Sequence, residues 1–158
     1  LNQERYEMTE QQQKIINTAN SQLGKEEIPK GSNWGPHVQG YLQSVGITFP
    51  ASWCAAFVYW VMRQAGITVT AVVPKTGVVL KMWQMAKDYR VKTPQPGDVF
   101  IMDYGKGLGH TGIVLAVEGA NIRTIEGNTN SDGSREGYQV ANRVRPISKC
   151  VGFLRFWK

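Results

Sequence analysis

Histidine and cysteine are scarce in this chain, with two of each in 158 residues. The cysteines, Cys54 and Cys150, form no CxxC pair, and two histidines cannot complete a zinc cluster of the usual spacing, so no metal site is expected. They permit one disulfide at most, which is no framework and leaves the redox compartment open. No stretch approaches the ~20 apolar residues that span a bilayer, so membrane insertion is not expected. The opening LNQERYEMTEQQQK has no apolar core of the kind a signal peptide carries. Export would then require a leader already removed or another route. Repeats, low-complexity tracts and linkers are also missing, and residues 1–158 read as a single domain.

What is present suits a globular protein: 42% hydrophobic residues, 19% charged, and enough length to bury a core without staples. The formal charge is +6, with mild clustering at Arg135, Arg143, Arg145, Lys149 and Arg155. Such a surface attracts polyanions, whether nucleic acid, anionic lipid or acidic cell-wall polymer. It equally serves solubility. No helix-turn-helix, zinc-finger spacing or RNP-like aromatic motif supports nucleic acid as the partner.

The chain divides into a helical half and a strand-like half. In TEQQQKIINTANSQLG, Thr9 and Gln12 stand at capping-box spacing, Ile15, Ile16, Ala19 and Leu23 mark one face, and Gly24 supplies a stop. A loop around Gly31–Pro36 precedes a short helix ending near Gly46. Pro50 and Ser52 precede a third helix over about residues 53–65, closed by Gly66. VVLKMWQMAKDYR gives a fourth, with Val79, Met82, Met85 or Ala86, and Tyr89 on its apolar side. After Thr93, VFIMD, TGIVLAVE, NIRTIE, YQVANRV and VGFLRFW read as strands between glycine-bearing turns. Helices first and consecutive strands after predict an α+β fold with a mostly antiparallel sheet of about five strands.

Cys54, in SWCAAFVYW, falls where the third helix begins. The first N–H groups of a helix lack intrahelical partners, and the dipole is positive there. A thiolate at that point is favoured, and the same N–H groups can stabilise an oxyanion on an attacked carbonyl. On its own, a cysteine ahead of an apolar run reads at least as well as a buried small hydrophobe.

His110, in GLGHTGIVLAVEG, shifts the balance. If GIVLAVE and NIRTIE form a hairpin turning at Gly119 and Ala120, His110 lies opposite about residue 128, and Glu126 and Asn128 reach the same end of the hairpin. Two residues apart on a strand, they share a face. For that face to be His110's, the loop must hold an odd number of residues, such as Glu118–Ala120. A carboxylate or amide beside the imidazole completes a set of nucleophile, base and orienting group. An ordinary turn is the competing reading, because EGNTNSDGS is rich in turn residues. His37, beside Gly35-Pro36, reads as structural or substrate-facing. Trp34, Trp53, Trp83 and Tyr104 are candidates to line a cleft, with Trp34 and Tyr104 placed for exposure by their glycine-rich loops.

With SWCAAFVYWVMRQAG, PQPGDVFIMD, GHTGIVLAVEG and TIEGNTN in this order, the chain resembles the CHAP branch of the NlpC/P60-like cysteine peptidases, bacterial cell-wall amidases and endopeptidases. The resemblance spans roughly residues 52–130. It implies a papain-like fold with Cys54 as nucleophile, His110 as base and then acid, Glu126 orienting the imidazole, and Asn128 orienting it or contacting substrate. Asn33 and the Ser52 region are the candidates for a second oxyanion donor. Trp34, Trp53, Tyr104 and Asn33 make up the expected substrate-binding set. The chemistry implied needs no metal or organic cofactor, takes bacterial peptidoglycan as substrate, and implies action outside the cytoplasm, in the periplasm, cell envelope or beyond. The family's wall-binding modules do not accompany these segments, so targeting falls to the basic surface, another chain or a delivery system. An inhibitor or immunity partner is expected if the protein is a secreted toxin. Two alternatives stay open: a thiol amidase or acyl transferase acting on a small amide, and a non-catalytic module that binds anionic wall.

Overall fold

The computed structural model describes residues 7–129 and 137–158. Arg135 of the basic cluster, and residues 130–134 of the turn-rich run, lie outside the described residues. The fold is α+β: helices α1 (Glu10–Asn20), α2 (Pro36–Ser44), α3 (Cys54–Gln64) and α4 (Val79–Met85) come first. Strands β1 (Arg90–Val91), β2 (Val99–Gly105), β3 (Leu108–Glu118), β4 (Asn121–Thr129), β5 (Gln139–Pro146) and β6 (Gly152–Leu154) follow. Every pairing is antiparallel, in the order β1-β6-β2-β3-β4-β5. No helix among the described residues is long and apolar enough to cross a membrane.

The helix boundaries follow their caps. Thr9 and Gln12 form the capping box that starts α1, with Thr9 N–H donating to Gln12 Oε1 at 2.7 Å. That helix ends at Asn20, so Leu23 falls beyond it in a turn and is exposed rather than on the buried face. Pro36 opens α2 at a position where its missing N–H costs nothing. Met85, the last residue of α4, is exposed, and Ala86 just past its end is buried instead. The sixth strand, β1, was not legible because it is two residues long, one of them Arg90; its backbone pairs with Phe153 and Leu154 of β6.

An eleven-residue helix is marginal alone in water, so α3 is held by what it buries. Ala55, Ala56, Phe57, Val58, Val61 and Met62 are all fully enclosed. Full burial of a side chain such as Phe57 contributes about 1.5–3 kcal/mol. These residues join Val99, Ile101, Ile113, Ile125 and Leu154 of the sheet in the main core. Alternation along the strands sends Phe100, Met102, Val114, Ile122 and Phe153 to the other face, where Ile147 and Cys150 pack on them.

One strand detail decides the site. The β3–β4 turn holds two residues, Gly119 and Ala120, since Glu118 pairs with Asn121. A two-residue turn alone would put Glu126 and His110 on opposite faces. The register shifts, however, between Val114 and Ala116, leaving Leu115 as an extra residue. Beyond this bulge the pairs are Val114 with Thr124 and Ile113 with Ile125, and the parity is restored. The expected odd-numbered loop is therefore corrected: the extra residue lies in strand β3, not in the turn.

Candidate active site

Cys54 is the first residue of α3, and no side chain caps the helix start at Trp53. The first helical hydrogen bond runs from Phe57 N–H to the Trp53 carbonyl at 2.9 Å. The N–H groups of Cys54, Ala55 and Ala56 thus precede the intrahelical ladder and gather at the positive end of the helix. Both cysteines are free, and Cys54 is only 5% exposed.

Gly127 brings this helix end to the sheet. A Cβ on Gly127 would come within 2.7 Å of Trp53 and of Phe57, so only glycine allows β4 and α3 this contact. Gly112 does the same for the acid, since a Cβ there would stand 2.7 Å from Glu126 Cγ and from Phe100.

The restored parity sets His110, Glu126 and Thr124 on one face. His110 Nε2 meets Glu126 Oε1 at 2.7 Å. Cys54 bears on the imidazole as well, and with Nε2 committed to Glu126, Nδ1 is the ring nitrogen left to serve the thiol. Burial of His110 works against its charge, yet the influence of Cys54 and Glu126 prevails and its pKa is raised to about 9. Glu126 is wholly buried and accepts Thr124 Oγ1 at 2.5 Å, Arg145 Nε at 2.9 Å and Arg145 Nη2 at 2.6 Å, besides the imidazole. Burial alone would raise its pKa; hydrogen bonds from Arg145 and His110 outweigh that and hold it at about 2. The carboxylate is therefore ionised across the physiological range.

A cleft of about 270 Å³ opens over these groups, lined by Ser52, Cys54, Val79, Tyr104, His110 and Asn128 among others. Its rim is apolar, with Val78 53%, Tyr104 43% and Leu108 47% exposed. Asn128 does not share the pleat of Glu126 as the two-residue spacing implied. Its φ is +56° and the β4–β5 register shifts between Glu126 and Thr129, which turns the side chain into the cleft. Its Oδ1 is buried and finds no hydrogen-bond partner among the described residues.

The expected aromatic lining is mostly corrected. Trp53 is fully buried, stacks on Tyr41 with ring centroids 5.5 Å apart, and donates Nε1–H to Glu27 Oε2 at 2.9 Å. It supports α3 from within the core and cannot meet substrate. Trp34 is half-buried against that core, Asn33 is half-buried in its loop at φ +54°, and neither lines the cleft. Trp83 lines a separate groove, its ring covered by Arg90 at 3.8 Å. His37 is exposed on α2 and also stands apart from the cleft. Of the anticipated substrate residues, Tyr104 alone reaches it, and Ser52 lines it as well. Thr124 and Arg145 were not anticipated. The strand period could have offered Thr124, two residues before Glu126; Arg145 needs the β4–β5 register, which pairs it with Ile122.

The family model for the CHAP domain matches residues 45–128, just over half of the chain. This segment contains Cys54, His110, Glu126 and Asn128. No curated protein sequence matches at a significant level. Among solved structures, the crystal structure of Ly7917 with the hydrolyzing product of MDP is 18% identical. It aligns over 90% of this chain and 62% of its own, with a TM-score of 0.50. A Staphylococcus aureus protein of the NLP/P60 family, described as similar to lipoprotein, is 19% identical over all of this chain and 45% of its own, with a TM-score of 0.47. The chain thus spans less than two thirds of either protein, and likeness at this level of identity concerns the fold.

Proposed function

The chain belongs to the CHAP domain family, and from that premise we propose that it is a peptidoglycan hydrolase that cuts an amide bond through a thioester on Cys54. The observation that carries this reading is His110, held by the buried Glu126 carboxylate at 2.7 Å, lining one open cleft together with Cys54. Ly7917, with its hydrolyzing product of MDP, makes wall fragments the first substrates to try. With a wall substrate, the site of action would be outside the cytoplasm.

The Cys54 thiolate attacks the amide carbonyl carbon, forming a C–S bond and an oxyanion that the N–H groups at the start of α3 stabilise. The imidazolium gives its Nδ1 proton to the departing nitrogen; the C–N bond breaks and the amine leaves. Neutral imidazole then takes a proton from water, whose oxygen attacks the thioester and forms the new C–O bond. The thiolate departs and the ion pair is restored. Glu126 keeps Nε2–H bound throughout, and the buried, unpartnered Oδ1 of Asn128 is free to accept an N–H of the bound peptide.

The raised pKa of His110 gives this scheme a pH signature. Below about 9 the imidazole is protonated and can deliver the proton; above it the acid is lost. In a pH series, kcat/KM is expected to fall about tenfold per pH unit beyond an apparent pKa near 9, where the His110 imidazole loses its proton. A profile flat to pH 10.5 would contradict the role of His110 as acid.

The direct test of the activity is digestion of defined peptidoglycan with mass assignment of the new termini. One new amine and one new carboxyl at a single kind of amide bond is the expected result. New reducing sugar ends, or no soluble fragment from folded protein, would reject the reading.

A further inference from the structure

Arg145 lies outside the segment that the family model matches, yet it is built into the site. Its Nε and Nη2 hold separate oxygens of Glu126, at 2.9 and 2.6 Å. Oxygen Oε1 is thereby shared between the guanidinium and His110 Nε2. Such a two-pronged pair fixes the plane of a carboxylate, which a single lysine contact cannot do. The carboxylate is wholly buried, and the Arg145 side chain is only 13% exposed, so water screens the pair little.

We propose that Arg145 is a positioning residue of this site: it locks the Glu126 carboxylate against the imidazole, and its positive charge keeps that carboxylate from binding the imidazolium too strongly. The proposal rests on the reading that Cys54 and His110 perform thiol chemistry. A carboxylate facing the imidazolium alone would favour the charged ring fully and make its proton hard to give up. A cation on the far side of the same carboxylate reduces that hold, and Thr124 completes the clamp. The charged and titratable groups that bear on the pair come from α3, β2, β4 and Cys150. His110 faces Cys54 of α3 and Glu126 of β4; Arg145 faces Glu126, with Tyr104 of β2 and Cys150 also in its field.

The test combines steady-state kinetics with NMR titration of the imidazoles, which the chain's two histidines keep simple. In Arg145→Gln, removal of the nearby cation is expected to move the His110 titration up by about one pH unit. Its kcat should fall roughly tenfold with KM unchanged, because the orienting group has loosened. Arg145→Lys keeps the charge and loses the fork, so kcat should fall while the titration stays within a few tenths of wild type. In a Glu126→Gln background, Arg145→Gln should cost nothing further, since it acts through Glu126. Wild-type kcat in Arg145→Lys, an unmoved His110 titration in folded Arg145→Gln, or fully additive losses would each overturn the proposal. Should Arg145→Gln fail to fold, kcat of Arg145→Lys decides alone. If the wild-type protein cleaves no wall amide, the hydrolase reading fails separately, and the His110 titration still judges Arg145.

Discussion

A Cys54→Ala protein is expected to release wall fragments at least about 10⁴-fold more slowly than wild type while remaining folded. Loss of the nucleophile removes the covalent route, and members of such a unit each carry most of its effect. Stability should change little. The side chain loses one atom, Cys54 is 5% exposed beside the cleft, and α3 is anchored by Phe57, Val58, Val61 and Met62 instead. A melting curve near that of wild type, with no turbidity loss from a wall suspension, is the expected pair of results. Unchanged release from the folded variant would remove Cys54 from the mechanism. The same variant should lower the His110 titration, because Cys54 is among the groups that raise it.

Gly127→Ala is expected to be nearly as informative, although it alters no reacting group. The new methyl would sit 2.7 Å from the Trp53 ring and from Phe57 Cβ, two side chains that are fully buried and have nowhere to turn. Overpacking of this kind costs about 1–3 kcal/mol. The helix can yield only by moving off β4, and its first residue is Cys54. A displacement of ~1 Å between reacting groups can reduce turnover about 100-fold, so kcat should fall by that order at temperatures where the protein stays folded. Gly40→Ala is the matched control: nothing lies within 4 Å of the added carbon, and the position is helical. It should gain up to about 1 kcal/mol and keep full activity. Equal kcat for Gly127→Ala and wild type would show that the close approach does not position the thiol.

Much of the site was legible because two short-range rules place it. Turn and cap residues locate the start of α3, which puts Cys54 at a helix end. Counting back from Gly119 and Ala120 brings His110, Glu126 and Asn128 to one end of a hairpin. The count failed on parity, since a bulge at Leu115 leaves no mark in TGIVLAVE, an apolar run in which Leu115 stands out in no way. It failed again at Asn128, whose left-handed backbone breaks the pleat. Trp53, expected among the substrate-binding residues, is core instead, and nothing in the residues beside it marks the difference. Its burial depends on Glu27, a carboxylate 26 positions away that accepts its indole N–H. Arg145 was hidden for a related reason. In sequence it is one of several basic residues near the end of the chain, and only the pairing of β4 with β5 turns it towards Glu126.

The central claim is that Cys54 is the working thiol, and selective alkylation tests it most directly. Cys150 is the internal reference: burial raises its pKa to about 11, so little of it is thiolate at neutral pH. Treatment with iodoacetamide at pH 7, followed by peptide mass mapping and a wall-digestion assay on the same samples, gives modification and activity together. Activity lost in direct proportion to carboxamidomethylation of Cys54, with Cys150 still unmodified, is the predicted result. Full modification of Cys54 with wall cleavage retained would contradict it.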